Sequence, residues 1–531
     1  MSVEHEIVFE TDGRHSSTYL YEPPMAERQY VEPIDEVLDL GVDTIRYVVG
    51  DCSVLLYDTK VGERWGHNLD QCDHAIWYRA GINARMMIES GRDPLRIVCD
   101  HAQKRGFRFL PHLLLNLMHV AHDRVTDSRV ADFTTQHPEW QIGPEPDVEE
   151  HLRARENQLS YVVAEVRENR LAVIRELVAD YPSDGIEVNF CTYAPFIARK
   201  DVAEHTETMT EWVRRIRSVC DEAARDQGRA KRLVLRVGAS LEGNRTMGHD
   251  LETWIAEGLV DTLITMPVGD GFEADTAGLR SIVEVADGSK TTVLAGLDSV
   301  ASEQTRLTHR AAAVNAYAAG ARGILIHRYY PAPYRYPYND EMYERLRYLA
   351  YPDVLAHEDK IFRICPAQKP AEGGPFGVKA QLPVELKVGG PPQVCFIEVH
   401  EDLSEKEKRG ELWKCELRVM CPEMIHTDTI RISWNGWQVP DSAIRKADWT
   451  FQMRPSRPEH VYCGYRFHVD LKGPRLPVKG KNTISVEALN KDQKFVKPMT
   501  LGDIEIGVQY LPHRNALRPE EPYAGGYVFT P

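Results

Sequence analysis

Asp184-Gly185-Ile186-Glu187-Val188-Asn189-Phe190 reads as a short buried strand that carries polar groups toward one point. Side chains alternate along a strand, so Ile186, Val188 and Phe190 share one face while Glu187 and Asn189 share the other. A helix pattern from Val166 to Tyr181, with apolar Val166, Leu171, Ile174 and Leu177, precedes the strand, and a loop with Tyr193 and Pro195 follows it. A strand entered from a helix and left through a loop is one βα unit, and an inward carboxylate on it is how a barrel enzyme delivers an acid to its rim. The alternative is a structural carboxylate paired inside the barrel, since an unpaired buried charge is costly.

Outward from this unit, residues 40 to 350 alternate short apolar runs with helical patterns, the signature of a parallel α/β fold. The expected strands are Thr44 to Val49, Arg108 to Leu115, Ser160 to Val163, Gly185 to Phe190, Leu233 to Val237, Thr262 to Met266, Thr291 to Ala295 and Gly323 to His327. Eight such strands predict a closed (β/α)8 barrel; the third follows a long insertion. Gly41, Gly258 and Gly320 each stand where a helix closes and the next strand opens, the place of a left-handed C-cap.

Between residues 366 and 392 prolines and glycines crowd together, which predicts a linker. Beyond it the helical period is lost. Runs such as Glu411 to Met420, Thr429 to Trp434, Tyr465 to Leu471, Asn482 to Ala488 and Ile504 to Tyr510, punctuated by turns such as Asn435-Gly436, predict a β-sandwich. The expected organisation is therefore a barrel over 1–365, a linker over 366–392 and a sandwich over 393–531.

A 43% apolar and 27% charged chain of 531 residues is long enough for two or three folded domains and is not of the disordered class. Its net charge of −16 argues against nucleic acid or an anionic membrane surface as the main partner. The ten cysteines show no Cys-x-x-Cys pair, so reduced, buried thiols are expected, with no cofactor and no structural zinc. No run reaches the length of a membrane span, and the amino terminus lacks a signal pattern. As given the chain reads as cytoplasmic, or secreted or periplasmic if a signal was removed; its oligomeric state stays open, a homo-oligomer included.

Strand ends of the predicted barrel supply the candidate site: Asn116 and His119, Glu187 and Asn189, Arg236 and Glu242, Asp270, Asp298, and His327 with Tyr329. Two carboxylates facing each other across a sugar ring are the minimum for hydrolysing a glycosidic bond, one as acid and the other as nucleophile or base. Each candidate has a structural alternative. Arg236 suits the partner of a strand carboxylate, Asp298 a helix-entry turn, and Asp270 a Gly-Asp-Gly turn. The tyrosines from Tyr329 to Tyr338 suit either sugar stacking or packing. His119, His122 and Asp123 form a loop grouping compatible with a metal, and a metal-dependent isomerase or lyase would draw on His112, His119 and His327.

Residues 184–190 resemble the Asp-Gly-Ile-Glu-Leu-Asp-Phe strand of glycosyl-hydrolase-like (β/α)8-barrel proteins. The helix before them, the Asn116 to His119 segment, His137-Pro138-Glu139-Trp140, and Arg236-Val237 followed by Trp254 to Asp261 are similar to that family's pieces, in the same order. Two positions depart from it: Asn189 stands at the second acid of the strand, and Leu117 where an Asp follows the Asn. The carboxy-terminal Ile432-Ser433-Trp434-Asn435-Gly436 and Gly480-Lys481-Asn482-Thr483-Ile484 resemble an accessory, galactose-binding-like β-sandwich. The resemblance implies a glycoside hydrolase acting on an oligosaccharide or glycoside. Glu187 would pair with Asp270, Asp298 or Glu242 as the catalytic carboxylates, and Asn116, His119, Asn189, Arg236, His327 and Tyr329 would bind the carbohydrate. The second reading is a catalytically impaired carbohydrate-binding protein, for which Asn189 and Leu117 speak.

Overall fold

The computed structural model describes residues 5–51, 54–67, 70–116, 126–149, 158–299, 305–331, 335–364, 376–449, 464–513, 515–516 and 518. Two compact units emerge, one of residues 1–352 and 366–381 and one of residues 353–365 and 382–531.

The first unit is a closed barrel of eight parallel strands: β1 (Glu6–Asp12), β2 (Thr44–Val48), β3 (Arg108–Leu114), β4 (Gly185–Asn189), β5 (Arg232–Gly238), β6 (Thr262–Met266), β7 (Thr292–Asp298) and β8 (Gly323–His327). Each strand pairs with its sequence neighbour, and β1 closes the ring between β8 and β2, with Phe9 opposite Ile326 and Glu10 opposite Arg46. The count of strands agrees with the sequence reading, but two memberships change. Residues 160–163 are not a barrel strand. Leu159 makes only an isolated bridge to Gln141, Tyr161 is buried in a turn with its hydroxyl donating to the Leu115 carbonyl at 2.6 Å, and a helix begins at Ala164. The apolar character of that run serves packing of Tyr161 against Phe196 and Trp212. The missing strand is β1, whose Ile7-Val8-Phe9 run is cut short by Glu10, Thr11 and Asp12 and has no helix pattern before it.

The strand at residues 184–190 divides its side chains as alternation requires. Ile186, Val188 and Phe190 face the helical layer, where the Phe190 ring meets Phe196, Trp212 and Trp254. That layer includes Ala164–Ala179, which buries Val166, Leu171, Ile174 and Leu177, and Val202–Gln227, which buries Trp212, Val213 and Ile216. Gly185 has φ +141°, and a Cβ there would lie 2.0 Å from the Arg232 carbonyl oxygen, so only glycine admits the close approach of β5. Asp93 caps Pro94–Lys104 by accepting from Leu95 N, and Asp250 caps Leu251–Ala256 by accepting from Thr253 N. Gly41, Gly258 and Gly320 all take positive φ, as expected of helix ends. From the stretch read as a linker, Phe376 is buried over Gly238 and Gly243 of the barrel.

The second unit consists of antiparallel sheets in a sandwich-like arrangement. A five-stranded sheet runs in the order 360–364, 503–510, 412–422, 464–470, 444–449, and a four-stranded one in the order 393–399, 480–490, 429–434, 437–438. Asn435 and Gly436 turn the last hairpin with φ of 45° and 80°, pairing Trp434 with Trp437, as an Asn-Gly turn should. Leu417, Val419, Ile504 and Ile506 are fully buried. The seven described cysteines are all free, and six are buried. No described helix is long and apolar enough to cross a membrane.

Candidate functional site

Charged side chains fill the barrel interior. Glu187 on β4 is fully buried; its Oε1 accepts from Arg236 Nε at 3.0 Å and lies 3.3 Å from His112 Nδ1, and its Oε2 pairs with Arg46. Glu10 on β1 pairs with the same Arg46 and accepts from Arg236 Nη2 at 3.3 Å, while His327 Nδ1 lies 2.5 Å from Glu10 Oε2 and 3.0 Å from Arg236 Nη1. The register explains the meeting, because Glu10 sits opposite Arg46, His112 opposite Glu187 and Asn189 opposite Arg236 on adjoining strands.

Electrostatically the cluster is closed. Burial drives the Glu187 carboxyl upward, but Arg46 and Arg236 outweigh it and hold the group well below the usual carboxylate range. Burial, then the neighbouring arginines, push both His112 and His327 well below the ordinary imidazole value, so both rings are neutral. Two buried carboxylates thus balance two buried guanidiniums. A carboxylate so held cannot donate a proton near neutral pH.

At the mouth of the barrel the settings differ. Asp298, the last residue of β7, accepts from Arg328 Nε at 2.9 Å and pairs with its second nitrogen. Arg328 takes φ 52°, and Tyr193, beyond β4, takes φ 61°; non-glycine residues held in this region concentrate where function imposes strain. Asp270 lies in the loop after β6, half-buried, with its Oδ2 accepting from Gln381 Nε2 at 2.8 Å. Burial raises its carboxyl above the ordinary value, partly offset by the Gln381 hydrogen bonds. At the end of β1 the buried Asp12 pairs with Arg14 at 2.9 Å and His15 at 2.8 Å; burial opposes ionisation, but these neighbours drive its carboxyl far below the usual range.

The structure brings Glu187, Arg236 and His327 into one cluster. Asn189 adjoins it: its Nδ2 donates to Thr192 Oγ1 at 2.9 Å, and its Oδ1 accepts from Cys191 N and Thr192 N, capping the end of β4. Other candidates lie apart. Asn116 is buried in backbone bonding, accepting from Leu159 N and donating toward the Leu159 and Pro195 carbonyls. Glu242 is 80% exposed beside Arg245. Tyr329 is buried, its ring against Phe9 and Tyr338 and its hydroxyl donating to the Met342 carbonyl at 2.6 Å. His119 and the His119, His122 and Asp123 grouping fall outside the described residues.

Sequence reasoning passed over Glu10, Asp12 and Arg46. For Arg46 a signal existed: a lone arginine inside Thr44-Ile45-Arg46-Tyr47-Val48 has the same setting as Arg236 within β5. Glu10 and Asp12 were hidden with the strand that carries them.

Among solved structures the chain is similar to alpha-L-fucosidase isoenzyme 2 from Paenibacillus thiaminolyticus, with TM-score 0.41 and 13% identity over 66% of this chain and 49% of that one. It is also similar to the noncanonic maltogenic alpha-amylase AmyB from Thermotoga neapolitana, with TM-score 0.37 and 12% identity over 92% and 100%. The GH36 alpha-galactosidase AgaB from Geobacillus stearothermophilus gives TM-score 0.35 and 12% identity over 91% and 55%. The chain thus spans about half the length of the fucosidase and the galactosidase. No curated protein matches it. Residues 15–211, which run from the end of β1 past β4, match the family described as Glycosyl hydrolase-like 10.

Proposed function

We propose that the chain is a glycoside hydrolase whose catalytic carboxylates are Asp298 and Asp270, at the mouth of the barrel. The observation that carries this reading is the contrast between two acids on neighbouring βα units. Asp298 is ion-paired with Arg328, while burial raises the Asp270 carboxyl. Carboxylates whose surroundings set them apart in this way divide into a charged nucleophile or base and a protonated acid. Asp298 then attacks or activates water, and Asp270 protonates the leaving oxygen. Glu187, sealed between Arg46 and Arg236, fixes the charge and shape of the barrel floor beneath the sugar. The match over residues 15–211 supports the substrate class, an oligosaccharide or glycoside.

Asn189 favours a second reading, a carbohydrate-binding protein without turnover, because it stands at the acidic position of the strand motif and is spent on capping β4. One panel of oligosaccharides and aryl glycosides separates the two. Hydrolysis by the wild type that falls about 10²- to 10⁴-fold in Asp298→Asn and in Asp270→Asn supports the first. Binding without turnover in the wild type, with hydrolysis appearing in Asn189→Asp, supports the second.

A further inference from the structure

We propose that Glu63, His67 and Asp132 form a binding site for a divalent cation, with Zn²⁺ the best fit. These residues belong to other segments than the carboxylates discussed above, Glu63 and His67 after β2 and Asp132 after β3, and the inference does not rest on the glycosidase reading.

The His67 ring is oriented by the backbone three residues before it. Its Nδ1 is 3.0 Å from the Arg64 carbonyl oxygen, which can only accept, so Nδ1 carries a proton and Nε2 is the ring nitrogen turned toward the carboxylates. Nε2 lies 2.9 Å from Glu63 Oε2 and 3.7 Å from Asp132 Oδ2, and the three ligand atoms all fall within 4.8 Å of one another. The two carboxylates call for positive charge at Nε2, which a metal ion supplies in place of a ring proton.

The spacing suits a metal. Ligands about 2.0–2.2 Å from a tetrahedral ion stand roughly 3.4 Å apart, between the two distances found here. Glu63 is also held ready, its carboxylate accepting from Asp132 N at 2.7 Å and Phe133 N at 2.8 Å, which leaves further lone pairs for an ion. Side-chain exposures of 29% for His67, 23% for Glu63 and 40% for Asp132 leave room for water to complete the shell. One imidazole with two carboxylates is a borderline donor set, better suited to Zn²⁺ than to Mg²⁺ or Ca²⁺.

The test is calorimetric titration of the full chain, stripped with chelator, by Zn²⁺ alone, alongside His67→Gln and Asp132→Asn variants whose far-UV circular dichroism equals the wild type. One equivalent should bind to the wild type, with Kd raised at least tenfold in each variant. The His67 imidazole resonances, identified by their loss in His67→Gln, should move with that first equivalent. No binding, binding equal in all three proteins as thiols would give, or unmoved His67 resonances would overturn the proposal; His67 would then be an imidazolium clamped by its two carboxylates.

Discussion

Glu10 on β1 and Glu187 on β4 share the same two partners: Arg46 and Arg236 each pair with both carboxylates, tying strands β1, β2, β4 and β5 across the barrel interior. The four charges cancel, so removing any one leaves another uncompensated in a dry interior.

Glu187→Gln should therefore destabilise the fold by about 3–5 kcal/mol, read as a lower midpoint in chemical denaturation. Adding Arg236→Gln should cost less than the sum of the two single changes, because the second substitution removes the orphaned charge. Additive losses would show that the residues are not coupled.

Gly185→Ala is expected to cost more than about 3 kcal/mol or to prevent folding, since a β-carbon would collide with the Arg232 backbone at a φ that other residues avoid. Gly91, with nothing near its would-be β-carbon, is the control: Gly91→Ala should cost far less, in the same denaturation assay.

In the second unit Asp503 and Glu505 share Arg363, at 2.9 and 3.5 Å. Burial, with the like charge of Glu505, raises the Asp503 carboxyl to about 6 against the pull of Arg363. A raised folded value means that folding takes up a proton. This contribution is fully present below pH 4 and is lost as pH rises through about 6, on the order of 2 kcal/mol. Denaturation of the wild type across pH 4–7 should show that loss against a flatter profile for Asp503→Asn. A profile identical in the two proteins would refute the assignment.

If Asp270 is the proton donor, its ionisation sets the alkaline limb of kcat/KM. Gln381 donates to its carboxylate and so favours the charged form. Gln381→Leu should move the alkaline limb to higher pH, while Glu242→Gln, at an exposed position, should leave the profile in place.

Much of this protein was legible in the chain because it depends on local periodicity. The alternation of Ile186, Glu187, Val188 and Asn189 fixed which side chains face the barrel interior, and the Asn435-Gly436 pair fixed a hairpin, since strand pleat and turn conformation are properties of a few consecutive residues. The apolar seam from Val166 to Leu177 placed the helix before β4 for the same reason. Strand β1 escaped, because Glu10 looks like a loop residue until Arg46, Arg236 and His327 are brought beside it from remote parts of the chain. The electrostatic setting of Glu187 is decided the same way. Its residue type and inward direction follow from the sequence, but its ionisation is set by two guanidiniums on other strands, and charges act through distance in space and not along the chain.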